Sequence, residues 1–427
     1  MPRFWMLFGA QVFGAFADNA LRNATIVAII AAATVSVGED FYFFGDLANE
    51  AGTIVSIGFT LPIFAFAMIS GQMADRVPRH VMARRLKFLE LILMSLAALW
   101  FFLGQALPLV LTLALMGAQT AFFQPVRFAL MPQYFPPSRL ARANGIMQAG
   151  TFIAIVTGLG LGGYYFEVEN GRMIVSAMLV GAAVIGWLLA IRLPEAPPPG
   201  REPINWNIPA VAWRYFREAG KTPGVLWPIL ANGYFWLVGA FLLAHMPIFM
   251  RDQLGGTNQD YALLNAFFAL GAGLGSIIAG VLAPKLKEPK QMSAVALMVG
   301  MAALIGVYFY TRVPFTGEFQ LFGPAGYPLM TLFIISSAAN GVFAVPMLAS
   351  FQANAPKAIS ARIMGVANMT NGLFATVGAI LASVFRNAGI DPAQMFLVMV
   401  AMGGSVLMIM FWRFRMFRGQ HVGAEGT

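Results

Sequence analysis

Apolar residues fill this chain in twelve long blocks separated by short polar stretches, with neither the alternation of a strand nor the one-sided stripe of a surface helix. The blocks lie at roughly 4–35, 51–72, 81–104, 107–131, 140–166, 171–193, 224–249, 260–284, 291–311, 326–350, 361–386 and 394–414. Each is about 20 residues or longer, the length an α-helix needs to cross a hydrocarbon core of about 30 Å. A helix that is apolar all round has no face for water. The pattern therefore predicts an all-α membrane protein of twelve transmembrane helices. An even number of spans puts both termini on one side.

The polar connections set the orientation. The stretch 36–50 carries Glu39, Asp40, Asp46 and Glu50 and no base, whereas the next connection carries Arg76, Arg79, Arg84, Arg85 and Lys87. Bases collect on the cytosolic side of a membrane protein, so the first connection is expected outside and the second inside. The alternation then holds for Arg127, Arg139 and Arg142, for Arg192 to Lys221, for Lys285, Lys287 and Lys290, for Lys357 and Arg362, and for Arg413, Arg415 and Arg418. Arg172, Arg251, Arg312 and Arg386 fall outside. Both termini are thus expected in the cytosol. Met1-Pro2-Arg3 leads straight into the first block with no small-residue cleavage site near its end, which reads as a retained helix and not a signal peptide.

Composition removes other function classes. Only 11% of the 427 residues are charged and 59% are hydrophobic, against about 25% charged in a soluble domain. The net charge of +9 would suit nucleic acid only on a basic face of a soluble fold, and here the bases sit in loops between spans, so no nucleic-acid partner is expected. The absence of cysteine excludes a disulfide framework and a thiolate metal site. No metal or other cofactor is expected.

Between the sixth and seventh blocks lies Pro194-Glu195-Ala196-Pro197-Pro198-Pro199-Gly200, too rich in proline to be helical. An amphipathic stretch from Trp206 to Lys221 follows, with Trp213, Arg214, Tyr215, Phe216 and Arg217. It reads either as a short helix on the cytosolic membrane surface or as a helix packed on cytosolic loops. At a separation of 220 residues, Pro136, Ala141, Arg142, Gly145, Gly158 and Leu161 recur as Pro356, Ala361, Arg362, Gly365, Gly378 and Leu381. The repeat predicts two pseudo-symmetric six-helix halves, 1–193 and 224–427, joined by a linker at 194–223. Parallel halves about an axis along the membrane normal resemble the layout of the major facilitator superfamily. The loop Gly71-Gln72-Met73-Ala74-Asp75-Arg76-Val77-Pro78-Arg79-His80 is similar to that superfamily's signature of Gly, then Asp-Arg, then a further base. Its expected role is a conformational latch of Gly71, Asp75, Arg76 and Arg79. Asp75 would cap the third span, and Arg76 and Arg79 would pair with acids or carbonyl ends of a neighbouring helix.

Asp18, Asn19, Arg22 and Asn23 interrupt the first block near mid-bilayer, where an ionised side chain costs on the order of 3 kcal/mol. Intramembrane charge marks a functional site unless a local pair explains it, and Arg22, one turn on, offers such a pair. Glu90, the other titratable acid near the route, lies three residues from Lys87 and reads as a structural pair. Glycines 158, 160, 162 and 163 and glycines 271, 273, 275 and 280 allow close helix approach.

Three stretches carry a narrower resemblance: Phe13-Gly14-Ala15-Phe16-Ala17-Asp18-Asn19-Ala20-Leu21, Phe123-Gln124-Pro125-Val126-Arg127-Phe128-Ala129, and Leu140-Ala141-Arg142-Ala143-Asn144-Gly145-Ile146-Met147-Gln148-Ala149. They are similar to the bacterial lysophospholipid transporter family. Tyr234 to Ala240 and Leu270 to Ser276 look like the branch fused to an acyltransferase. The resemblance implies a transporter, not an enzyme, that moves lysophospholipids, chiefly lysophosphatidylethanolamine, from the outer to the inner leaflet of the bacterial inner membrane. It implies a monomer, with a separate acyltransferase as candidate partner.

On that reading Asp18 suits an ammonium and Arg127 or Arg22 a phosphate. Asn19, Asn23, Gln119, Gln124, Gln148, Asn232, Asn340 and Asn368 are amides on cavity-lining spans, and Trp236 and Phe235 face the acyl tail. Two departures stand out. Some family members carry a base in span seven where this chain offers only His245, which stands as the substrate-binding candidate there, and no His-x4-Asp motif exists, since His80, His245 and His421 are followed five residues on by Arg85, Met250 and Gly426. The alternatives are an exporter of amphipathic drugs or metabolites and a non-transporting scaffold for an acyltransferase.

Overall fold

The computed structural model describes residues 2–35, 51–166, 168–198, 203–256, 258–286, 288–313 and 319–421. The acidic connection 36–50, Pro199, Gly200 and Lys287 lie outside them, as do the side chains of Arg251, Arg413, Arg415, Arg418 and His421. Thirteen α-helices and no strand occur among the described residues. In the first part of the chain they are α1 (Pro2–Val35), α2 (Ala51–Arg76), α3 (Arg79–Leu103), α4 (Ala106–Tyr134), α5 (Pro137–Phe166), α6 (Gly171–Ile191) and α7 (Ile208–Lys221). There follow α8 (Leu226–Ile248), α9 (Asn258–Leu282), α10 (Pro289–Tyr310), α11 (Gly326–Asn354), α12 (Ser360–Asn387) and α13 (Gln394–His421).

Eleven of these are long and apolar enough to cross a membrane. The twelfth expected span, α1, has the length at 34 residues, but its polar run Asp18–Asn23 keeps it from meeting the same apolar standard. The extra helix, α7, is the amphipathic linker stretch. Its N-terminus is capped by Asn207, whose side chain accepts from Ala210 N at 3.3 Å, with proline in the first turn. The stretch 194–198 is non-helical, as its prolines require.

The chain divides into two compact units, residues 1–143, 150–226 and 351–369 in one and 144–149, 227–350 and 370–427 in the other. In the first, α2 packs on α4, α3 on α6 and α4, and α1 on α6. Its core includes Leu21, Phe59, Met94, Phe101, Leu113 and Met116. Glycine lets α1 and α5 touch backbone to backbone: a Cβ at Gly162 would overlap the Ala20 carbonyl. In the second unit α10 packs on α13. There Gly275 of α9 lies against the Ala338 carbonyl of α11, and Gly341 lies against Ala272. Gly275→Val places side-chain atoms where that carbonyl stands, so we expect it to reduce folded protein recovered by size-exclusion chromatography in detergent, with Gly239→Val, at an open position, as the unaffected control.

Candidate functional site

The polar run of α1 meets a polar patch on α3 and α4. Asp18 Oδ2 accepts from Thr120 Oγ1 at 3.1 Å. Next to Thr120, the Gln119 amide donates to Glu90 Oε2 at 3.1 Å and to the Leu86 carbonyl at 3.0 Å. Glu90 Oε2 also accepts from Lys87 Nζ at 2.7 Å, and the Lys87 ammonium sits 4.5 Å from the centroid of the Phe123 ring. Lys87 and Glu90 are fully buried. Asp18 Oδ1 and Glu90 Oε1 are likewise buried but have no hydrogen-bond partner among the described residues. Lys87 is thus bonded to Glu90 and not to Asp18, and each of the two carboxylates keeps an acceptor oxygen unused among the described residues. An unsatisfied buried acceptor costs about 1–3 kcal/mol, more when charged.

Asp18 and Arg22 form no ion pair within 4 Å among the described residues. Arg22 instead lies 5.1 Å from the Phe59 ring centroid and reaches Asn19 Oδ1 at 3.5 Å. The local pair that would have explained the charges as mere insertion helpers is absent because the two side chains turn to different neighbours. Asn19 donates to the Ala15 carbonyl at 2.7 Å, and Asn23 donates to the Leu159 carbonyl of α5 at 2.7 Å. These two amides hold helix backbone.

Lys87, which the sequence groups with loop bases, is an interior residue of this network. Thr120 was not singled out at all. The available signal was the Gln119-Thr120 pair within the otherwise apolar run from Leu113 to Phe123. Because Lys87 compensates Glu90, Lys87→Met alone leaves a buried carboxylate unpaired, at a cost of about 3–5 kcal/mol. We expect a marked drop in thermal stability in detergent, largely restored by Lys87→Met with Glu90→Gln.

At the other end of α2, Asp75 accepts from the backbone N–H groups of Ala361 at 2.9 Å and Arg362 at 3.0 Å. It thus caps α12, and the expected cap on the following helix is corrected: Pro78 occupies that position and makes no side-chain cap. Arg79 pairs with Asp75 at 2.8 Å and donates to the Ala129 carbonyl at 3.2 Å and to Ser360 Oγ at 2.7 Å. Arg76 is exposed and takes no part, contrary to the expectation of two pairing arginines. A Cβ at Gly71 would come within 2.8 Å of the Ala361 carbonyl, so glycine permits the α2–α12 approach.

A model of the Major Facilitator Superfamily matches residues 7–378. The chain belongs to the major facilitator superfamily. Its similarity to the Lysophospholipid transporter LplT of Photorhabdus laumondii is 26% identity over 350 residues, covering 80% of this chain and 78% of the relative. The LplT of Klebsiella pneumoniae is 24% identical over 396 residues, covering 90% and 88%. A bacterial homologue of the iron transporter ferroportin, in an outward-facing state, superimposes with a TM-score of 0.70 at 14% identity over 95% of this chain and 98% of that one. That likeness concerns the fold.

The other candidate residues of this facilitator are dispersed. Arg127 is buried in α4, 4% exposed, with Nε and Nη1 lacking partners among the described residues. Its Nη2 donates to Gln124 Oε1 at 3.1 Å, and its guanidinium lies 4.1 Å from the Phe128 ring centroid. Seven residues separate it from Thr120, about 10 Å or two turns along one helix face. Gln148 and Asn368 are half-buried. In the second unit, Asn340 lines a small cavity with Tyr234 and Ser336, and Asn232 bonds Asn371 at 3.0 Å. Trp236 is 40% exposed. His245 is enclosed by the rings of Phe241, Phe249 and Phe396, with centroids 5.2 to 6.2 Å away, which makes it part of an aromatic core and not a ready substitute for a cavity base.

Proposed function

We propose that this facilitator carries lysophospholipids, chiefly lysophosphatidylethanolamine, from the outer to the inner leaflet of the bacterial inner membrane by alternating access. The observation that carries the reading is the free carboxylate oxygen of Asp18, buried in mid-span beside Thr120 and without a cationic side chain bonded to it. A headgroup ammonium is the cation it lacks. The unfilled Nε and Nη1 of Arg127 offer a matching station for a phosphate two turns along α4. The similarity to the lysophospholipid transporters LplT supports the substrate class.

Alternating access needs an element that stabilises one state, and the clasp of Asp75 on α12 is suited to that role. Asn19, Arg22, Asn23, Gln124, Gln148, Trp236, Asn340 and Asn368 are proposed as walls of the route. A separate acyltransferase that consumes the inner-leaflet product would pull transport without an ion. Cytosolic termini and a monomer complete the proposal. Uptake of labelled lysophosphatidylethanolamine by bacterial spheroplasts expressing the chain tests it. We expect uptake above the empty-vector level that unlabelled lyso lipid competes away; competition by amphipathic cations alone would favour drug export.

A further inference from the structure

The linker helix α7 is attached to the clasp. Its buried face, Val211 and Tyr215, packs on Met68 of α2 and Val366 of α12. Arg362, whose backbone N–H is held by Asp75, donates from Nη1 to the Tyr215 hydroxyl at 2.5 Å. The segment before the helix is fixed as well: Gln72 Nε2 donates to the Asn205 carbonyl at 3.0 Å, and Asn205 N donates to Gln72 Oε1 at 2.8 Å.

The depth of this attachment matters. Met68 lies eight residues before the end of α2 at Arg76, and Val366 six residues after the start of α12 at Ser360. At about 1.5 Å per residue these are about 12 and 9 Å inside the ends of their helices. The helix α7 therefore packs against the flanks of α2 and α12, inside their ends and not beneath them. Its opposite face presents Trp213, 64% exposed, with Arg214, Arg217 and Lys221, all exposed. Trp206, just before the helix, is 72% exposed. Exposed tryptophan and bases on one face beside the ends of apolar spans match an interface of polar headgroups carrying negative charge.

We propose that the outward face of α7, formed by Trp213, Arg214, Arg217 and Lys221, binds anionic lipid headgroups of the leaflet at the Arg76 end of the spans, and that Tyr215 passes this contact to the Arg362–Asp75 clasp. The lipid acts as a stabiliser of the clasped state, distinct from any transported molecule. The proposal does not depend on the substrate, and its test uses no transport assay.

The full chain is reconstituted in nanodiscs of phosphatidylethanolamine with either brominated phosphatidylglycerol or brominated phosphatidylcholine. The Trp213 signal is taken as wild type minus Trp213→Phe. We expect stronger quenching by the brominated phosphatidylglycerol. Each base near an anionic surface is worth about fivefold, so Arg214→Gln, Arg217→Gln and Lys221→Gln together should reduce the preference at least about tenfold. Equal quenching by both lipids contradicts the proposal. Quenching by acrylamide with none from either lipid also contradicts it and would assign the face to water or a soluble partner. Hydrogen exchange of the segment 357–366 reads the coupling. It should be slower in phosphatidylglycerol discs than in phosphatidylcholine discs, and Tyr215→Phe should remove that difference while leaving lipid quenching intact. Exchange that is indifferent to lipid in wild type overturns the coupling.

Discussion

Asp18→Asn is expected to abolish lysophospholipid transport while leaving a folded protein. Asparagine has the shape of aspartate and still accepts from Thr120, so the α1–α4 contact at 3.1 Å survives. What disappears is the negative charge and with it the attraction for a headgroup ammonium. A charge-assisted hydrogen bond is worth about 2–3 kcal/mol, so initial rates should fall about 30- to 160-fold. Circular dichroism and the size-exclusion profile should be unchanged. Because Arg22 engages Phe59 and Asn19 and not Asp18, adding Arg22→Ala to Asp18→Asn should not restore transport. Recovery in the double variant would mean that the two charges serve each other.

Asp75→Ala is expected to release α12 from α2. The substitution removes the acceptor for two backbone N–H groups at a helix N-terminus and leaves Arg79, 1% exposed, without its carboxylate. Loss of one member of a buried pair costs about 3–5 kcal/mol, enough to move a conformational equilibrium by more than about 100-fold. The chain contains no cysteine, so Ser360→Cys introduces a single reporter at a site that is 5% exposed. Maleimide labelling of this position should be slow with Asp75 present and fast in Asp75→Ala. Equal labelling rates would show that Asp75 does not hold the two helices together.

The spans were legible because a hydrocarbon solvent imposes one rule on every segment: about 20 apolar residues with all backbone groups bonded internally. Block limits read from the sequence fall within a few residues of the helices, as with 171–193 against Gly171–Ile191, except at the last, where 394–414 stops short of a helix that runs to His421. Asp18 was legible for the complementary reason, since charge in such a segment needs a cause. The partners were not legible. Thr120 is 102 positions from Asp18, and nothing local to either reports the contact.

Asp75 shows the same limit. Its neighbours in sequence suggest a cap on the next helix, but its carboxylate reaches a backbone 286 positions away. His245 was selected by residue type, whereas the ring contacts of Phe241, Phe249 and Phe396 that enclose it arise only from tertiary packing. The Lys87–Glu90 pair was legible from its i,i+3 spacing, but its connection to Gln119 on a neighbouring helix was not.

The central claim is that this protein moves a single-chain phospholipid through a site built on Asp18. It is tested by measuring flipping of labelled lysophosphatidylethanolamine across proteoliposomes containing the purified protein, wild type beside Asp18→Asn, with diacyl phosphatidylethanolamine as control. The account predicts flipping of the lyso lipid alone by wild type and its loss in the variant. No flipping by folded wild-type protein, or undiminished flipping by Asp18→Asn, would contradict it.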